Sequence, residues 1–283
     1  MVRYLGYLLI GVMAIALAGG VGLILFGGMA ERLATPGTVR LVAFDQVIGV
    51  GGRVRIRVFL ENMDYQRPIP QFWLMARLPD GGIRPLYTDV RGIADSDRYT
   101  APKAGVFDYT VAFPETHPRL DIVAHGSVWV LPPDERVVWI DAAALISPDA
   151  RGEVASEAVA AVKTLAAGRQ PVYLVACKSE QYAAVRRQLE ACDVPRGPAV
   201  WIWGANDELS QLKRLMQASP NMDGAVLCHE ELVKAAAALH VPILQVPYAG
   251  TAEAPAENVV TWREVIDKGL PSREALPKAG DTK

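Results

Sequence analysis

From residue 134 onward the sequence alternates between two textures, and that alternation limits the fold more than any other feature. Five short apolar runs, "RVVWID", "PVYLVAC", "AVWIWG", "GAVLC" and "PILQV", are separated by stretches with helical spacing. The helical stretches fall near Gly152–Ala167, Gln181–Cys192, Asp207–Ala218 and Glu230–Leu239, with short loops such as Ala167-Gly168-Arg169-Gln170 between elements. Apolar strands alternating with helices build a parallel sheet covered on both faces. Such sheets bind ligands beyond the C-terminal ends of their strands. The residues to inspect are therefore Asp141, Ala143, Cys177, Lys178, Gly204, Asn206, Cys228, His229 and Glu230.

Residues 37–133 read differently. "RVRIRVFLE" alternates basic and apolar residues, which on a strand places Val54, Ile56 and Val58 on one face. "QFWLMARL", "VFDYTVAF" and "LDIVAHGSVWVL" repeat the pattern, with turn signals at Pro79-Asp80-Gly81-Gly82, at Pro102-Lys103-Ala104-Gly105 and from Pro114 to Pro118. The expectation is an antiparallel β-sandwich of about 90 residues. Its aromatics read as core, the glycine run Gly49–Gly52 as a hairpin turn, and His117 and His125 as isolated residues without metal partners.

Ahead of both lies a stretch without a charge, from Tyr4 to Ala30. As a helix, about 27 residues would extend ~40 Å, more than the ~30 Å hydrocarbon core of a bilayer. A cleaved signal peptide is the rival reading, since Ala16-Leu17-Ala18 resembles a cleavage site, but the apolar run continues through "GGVGLILFGG". An uncleaved single-pass transmembrane anchor is expected. Ala14, Ala18 and Gly22 form a ridge of small residues, with Ala16 and Gly20 beside it. Such a ridge suits packing against another membrane helix, or marks an Ala/Gly-rich span with no partner. A short tail before the span implies a cytoplasmic N-terminus and periplasmic domains; three cysteines, Cys177, Cys192 and Cys228, with no disulfide or metal spacing suit the cytoplasmic face instead. The net charge of −2 gives no electrostatic case for nucleic acid.

The expected organisation is thus an anchor over residues 1–30, a β-sandwich over 31–133, a Rossmann-like α/β domain over 134–268 and a polar tail over 269–283. Within it, "VVWIDAAALIS" and the approach "GSVWVLPPDERVVWID" carry a resemblance. The α/β part resembles the haloacid-dehalogenase (HAD) superfamily. The layout over roughly residues 40–267 is similar to bacterial proteins related to the actin-patch type of phosphatidate phosphatase, whose first strand ends in D-x-D-x-T. The resemblance implies that Asp141 matches the phosphorus-attacking aspartate. It also implies that the acid two residues on is replaced by Ala143, and the threonine by Leu145. Cys177 stands where the family's phosphoryl-binding hydroxyl would be, and Lys178 and Lys213 are candidates for its lysine. His229, Glu230 and Glu231, in "CHEE", occupy the start of the acidic segment that holds Mg²⁺ in the family.

General-acid help alone is worth about 10²–10⁴-fold. Losing the acid and weakening the metal site together points to a degenerate, non-catalytic domain without cofactor. Its function is then that of an accessory or scaffolding subunit, in contact with the lipid bilayer and integral-membrane partners. The alternative is a membrane-anchored, Mg²⁺-dependent phosphatase acting on lipid or small phosphoesters through Asp141 with Glu230 or Glu231. A ligand sensor using a vacated cleft is a third reading. Asp141 also has an ordinary occupation open to it, as a turn or helix-capping residue.

Overall fold

The structure, a computed structural model, describes residues 37–101, 103–116, 120–146, 156–202, 208–249 and 259–270. The chain divides into two compact units whose segments interleave along the sequence. The first takes residues 37–43, 57–97 and 110–124 of this range, and the second takes 44–56, 98–109 and everything from 125 onward. Among the described residues, nine strands precede the α/β region: β1 (Val39–Ala43), β2 (Gln46–Gly49), β3 (Arg53–Asn62), β4 (Arg67–Pro68), β5 (Trp73–Arg77), β6 (Ile83–Tyr87), β7 (Ile93–Thr100), β8 (Gly105–Ala112) and β9 (Val123–Leu131).

In the first unit, β1 pairs antiparallel with β3, from Val39 opposite Asn62 to Ala43 opposite Val58, and β4 and β7 also pair with β3. A hairpin of β5 and β6 sets Trp73 opposite Tyr87, and β8 pairs with the other edge of β5. Period-two alternation sorts the hairpin's faces: Leu74, Ala76 and Leu86 are buried, while Trp73, Ile83 and Tyr87 are exposed. The turn falls on the Pro-Asp-Gly-Gly signal, where Asp80 Oδ1 accepts from the Gly82 amide and Gly81 adopts φ +80°. Gly92 is required at its position, because a Cβ there would lie 2.4 Å from the Leu60 carbonyl.

In the second unit, β2 and β9 pair in parallel, Gln46 opposite Val128. The α/β region adds β10 (Val137–Asp141), β11 (Gln170–Val175), β12 (Ala199–Trp201), β13 (Met222–Leu227) and β14 (Ile243–Gln245) in one parallel sheet of order β12-β11-β10-β13-β14. The helices among the described residues are α1 (Ser156–Leu165), α2 (Ser179–Ala191), α3 (Glu208–Ala218), α4 (Glu230–Ala238) and α5 (Trp262–Lys268). Every residue of β10 is buried, as a central strand covered on both faces requires. Trp139, Val172, Leu174, Leu212, Leu227 and Leu232 meet in one core cluster. Helix α5, absent from the sequence reading, begins at a reciprocal capping box in which Thr261 and Glu264 satisfy each other's backbone amides.

Two expectations need correction. The combined fold class, a transmembrane helix followed by an antiparallel sandwich and a Rossmann-like HAD domain, does not hold as stated. β-Sandwich-like sheets are present, but β2 pairs in parallel with β9, and the described residues are mostly sheet with five short helices. The single-pass membrane placement, with a cytoplasmic N-terminus and periplasmic domains or with domains on the cytoplasmic face, is corrected as well. No helix among the described residues is long and apolar enough to cross a membrane. The longest has 13 residues, about 20 Å at ~1.5 Å per residue, short of the ~30 Å hydrocarbon core. The run on which the span was placed, with Ala14, Ala16, Ala18, Gly20 and Gly22, lies outside the described residues, as does the tail after residue 270.

Candidate functional site

Numbered within the parallel sheet, the strand order is 3-2-1-4-5, so the order reverses between β10 and β13. In open α/β sheets that reversal opens a crevice beyond the strand C-termini, where ligands bind. Asp141 ends β10, and Cys228 and His229 follow β13, so all three stand at this point.

Asp141 has no exposed surface. Its Oδ1 accepts from the Ala143 amide at 3.1 Å and caps the 3-10 turn Ala142–Ala144. Its Oδ2 accepts from the amides of Cys228 at 3.2 Å and His229 at 3.0 Å. The His229 Nδ1 lies 2.7 Å from the same oxygen and the Cys228 Sγ 3.2 Å from it. His229 is the N-cap residue of α4 yet makes no side-chain cap bond, because its ring is turned to Asp141. Tyr248 meets that ring edge-on, with centroids 5.1 Å apart.

The electrostatics follow from these contacts. Burial pushes the Asp141 carboxyl up, but the hydrogen bond and charge of His229 and the surrounding donors outweigh it, leaving Asp141 below its ordinary value. Burial opposes the charge on His229, and the hydrogen bond and charge of Asp141 overcome it, with a contribution from Glu231, so the imidazole is raised above 6.5. Burial and Asp141 push the Cys228 thiol far up. Tyr248 is pushed up to about 12, chiefly by burial. A thiol so placed is not an activated nucleophile. A carboxylate whose oxygens face five donors inside protein presents no free lone pair to the phosphorus of an incoming phosphoester.

The other strand-end residues do not join this group. Cys177 is half-buried, and its carbonyl accepts from Trp201 Nε1. Lys178 is exposed at the start of α2 with no side-chain cap bond, and Lys213 is exposed on α3. Glu230 is exposed and pairs with Lys234 one turn along α4, which lowers its carboxyl; Glu231 is exposed too. Leu145 is buried in the core. Gly204, Asn206, Trp203 and His117 lie outside the described residues, and His125 is exposed on β9.

A second buried carboxylate was not singled out in the sequence. Asp45, between β1 and β2, is 4% exposed. Its Oδ1 accepts from the amide and hydroxyl of Ser127, and its Oδ2 from the Ala199 amide. Arg186 approaches to 3.4 Å and also holds Glu190. Tyr182 accepts from the Asp45 amide and donates to the Ala199 carbonyl, and Phe44 stacks on Trp201 at 4.2 Å. A cavity of about 370 Å³ opens here, lined by Asp45, Tyr173, Arg186, Glu190, Arg196 and Ala199 among others. Its donors come from 82 and 154 residues away, so no local pattern could have marked it.

Among the described residues, Asp141, Cys228 and His229 form a group of metal-ligand side chains whose donor atoms lie within 4.8 Å of one another. Sulfur, one ring nitrogen and one carboxylate do not suit Mg²⁺, which requires oxygen donors in near-octahedral geometry.

No protein-family model matches the chain, and no curated protein matches it. Among solved structures, one similar domain is the CARDB domain of a Pyrococcus furiosus protein in complex with di-metal ions, at 15% identity. That match covers 35% of this chain and 97% of that one, with a TM-score of 0.25. Another is a family 123 glycoside hydrolase from Clostridium perfringens, at 9% identity, with 68% of this chain covering 38% of that one and a TM-score of 0.19. At such scores neither likeness carries an argument about this chain.

Proposed function

We propose that the chain is a non-catalytic accessory or scaffolding protein, built on a degenerate HAD-like α/β region whose strand-end carboxylate has become a structural latch. The observation that carries this reading is the complete enclosure of Asp141. A nucleophile must present an oxygen lone pair to phosphorus, and both oxygens of Asp141 are already engaged inside the protein. The residue two places on is Ala143, which offers no proton, and Glu230 turns to Lys234 rather than toward a shared ion. His229 supplies the positive charge that the family takes from Mg²⁺, and it does so from within the chain.

A protein partner is supported by the outward face of the β5–β6 hairpin, where Trp73 and Tyr87 are 55% and 48% exposed with ring centroids 5.0 Å apart. Aromatic residues are enriched where proteins meet. The phosphatase alternative would require Asp141 to leave at least two backbone donors and an imidazolium before each turnover.

The test is a phosphoester assay on the purified chain with Mg²⁺, beside an Asp141→Asn control. The expected outcome is the same background for both. Turnover present in the wild type and abolished by Asp141→Asn would overturn the reading.

A further inference from the structure

We infer that Asp141, Cys228 and His229 are the protein ligands of a soft first-row divalent ion, of the zinc type, at the joint between β10 and the start of α4. The three donor atoms form a triangle with edges of 2.7 Å (Oδ2 to Nδ1), 3.2 Å (Oδ2 to Sγ) and 3.9 Å (Sγ to Nδ1). A triangle of those edges contains a point about 2 Å from every corner, the length of a zinc bond to nitrogen or oxygen and ~0.3 Å short of one to sulfur. Small outward shifts of the three side chains therefore complete the coordination distances, with no backbone rearrangement. One position of a tetrahedron is left for water.

The donor set selects the ion. Thiolate and imidazole favour zinc and its neighbours, and one carboxylate oxygen is too little for Mg²⁺ or Ca²⁺. The surroundings behave as an outer shell does. The Asp141 carboxylate is oriented by the amides of Ala143, Cys228 and His229, which fixes the oxygen that would bind. Asp141 and Cys228 are shut off from solvent, at 0% and 5% exposure, while the His229 side chain keeps 23%, which leaves an entry path along its ring.

One effect opposes binding: a cation at a helix N-terminus meets the positive end of the dipole of α4. Glu230 and Glu231 in the first turn offset it, and the nearest amides are already turned to Asp141. On binding, the Cys228 thiol releases its proton and the imidazole Nδ1 any proton it carries, so affinity rises with pH.

The inference goes beyond the non-catalytic reading, and one experiment separates the two. The full chain, stripped with a chelator, is titrated with Co²⁺ and followed by absorption. One equivalent is expected to give the bands of a four-coordinate site with a thiolate-to-cobalt charge-transfer band, displaced by Zn²⁺. Cys228→Ser should lose the charge-transfer band while Cys177→Ser keeps it. His229→Ala should weaken binding by at least the 10–100-fold that outer partners of a metal site cost. A wild-type chain giving no such band at equimolar Co²⁺, or a band that survives Cys228→Ser, would overturn the site and leave the non-catalytic reading intact. Zinc-dependent phosphoester turnover lost in Cys228→Ser would support the site and overturn that reading.

Discussion

Asp45 and Asp141 are the same residue in nearly the same degree of burial, and they titrate in opposite directions. Both accept backbone amides from residues far along the chain: Ala199 and Ser127 for Asp45, Cys228 and His229 for Asp141. Asp45 is raised, because burial outweighs an Arg186 that stands 3.4 Å away and shares its charge with Glu190. Asp141 is lowered, because His229 lies 2.7 Å away and directs its charge to that one oxygen. At Asp45 two amides, a hydroxyl and a shared guanidinium do not offset the cost of burial. At Asp141 a close, dedicated imidazole does.

The sharpest break in the comparison comes from removing each carboxylate. Asp141→Ala leaves a half-buried imidazolium and three amides without their acceptor and should lose about 3–5 kcal/mol at pH 6 in chemical denaturation. Asp45→Ala leaves two amides and an Arg186 that retains Glu190, and should lose about 1–3 kcal/mol. Equal losses would erase the distinction between the two carboxylates. A comparable effect to the latter is expected at Gly126, where an added Cβ would lie 2.4 Å from the Tyr109 ring. Tyr109 donates to the Phe44 carbonyl next to Asp45, so Gly126→Ala should cost about 1–3 kcal/mol through the Asp45 side alone.

The pH dependence separates the two sites by sign. His229 is raised, so its contribution is whole below about 6.5 and fades as pH climbs through its folded value, with a slope of up to ~1.4 kcal/mol per unit. His229→Gln should flatten that limb of the stability profile. Asp141 is lowered, so its contribution holds above about 3.9 and fades as pH falls through its folded value. Asp45 is raised, so it adds stability as pH falls from neutrality toward 3.9, and Asp45→Asn should remove that gain. The smallest effect belongs to the exposed hairpin pair: Trp73→Ala should change stability by about 0.2–1 kcal/mol. It should change partner binding by more.

The parallel sheet was legible because its five strands are apolar throughout, bounded by helical spacing and short loops. Asp141 was legible as a strand-end residue, and its capping occupation had been open from the sequence. What could not be read was its company. Cys228 and His229 are neighbours in "CHEE", but their joint partner lies 87 and 88 residues earlier, and only the order β10-β13 brings them together. The Asp45 network is less legible still, since its segment sits among β-strands in sequence while its carboxylate accepts from the first residue of β12. Helix α5 carried a readable signal, Thr261 three residues before Glu264, masked by its short length of 7 residues.

The latch itself is tested most directly by an NMR titration of the His229 imidazole in the chelator-stripped, metal-free wild type and in metal-free Asp141→Asn. The expected result is an imidazole raised above 6.5 in the metal-free wild type that returns toward its ordinary value once the carboxylate is neutralised. A wild-type His229 that titrates at or below 6.5, unmoved by Asp141→Asn, would contradict it.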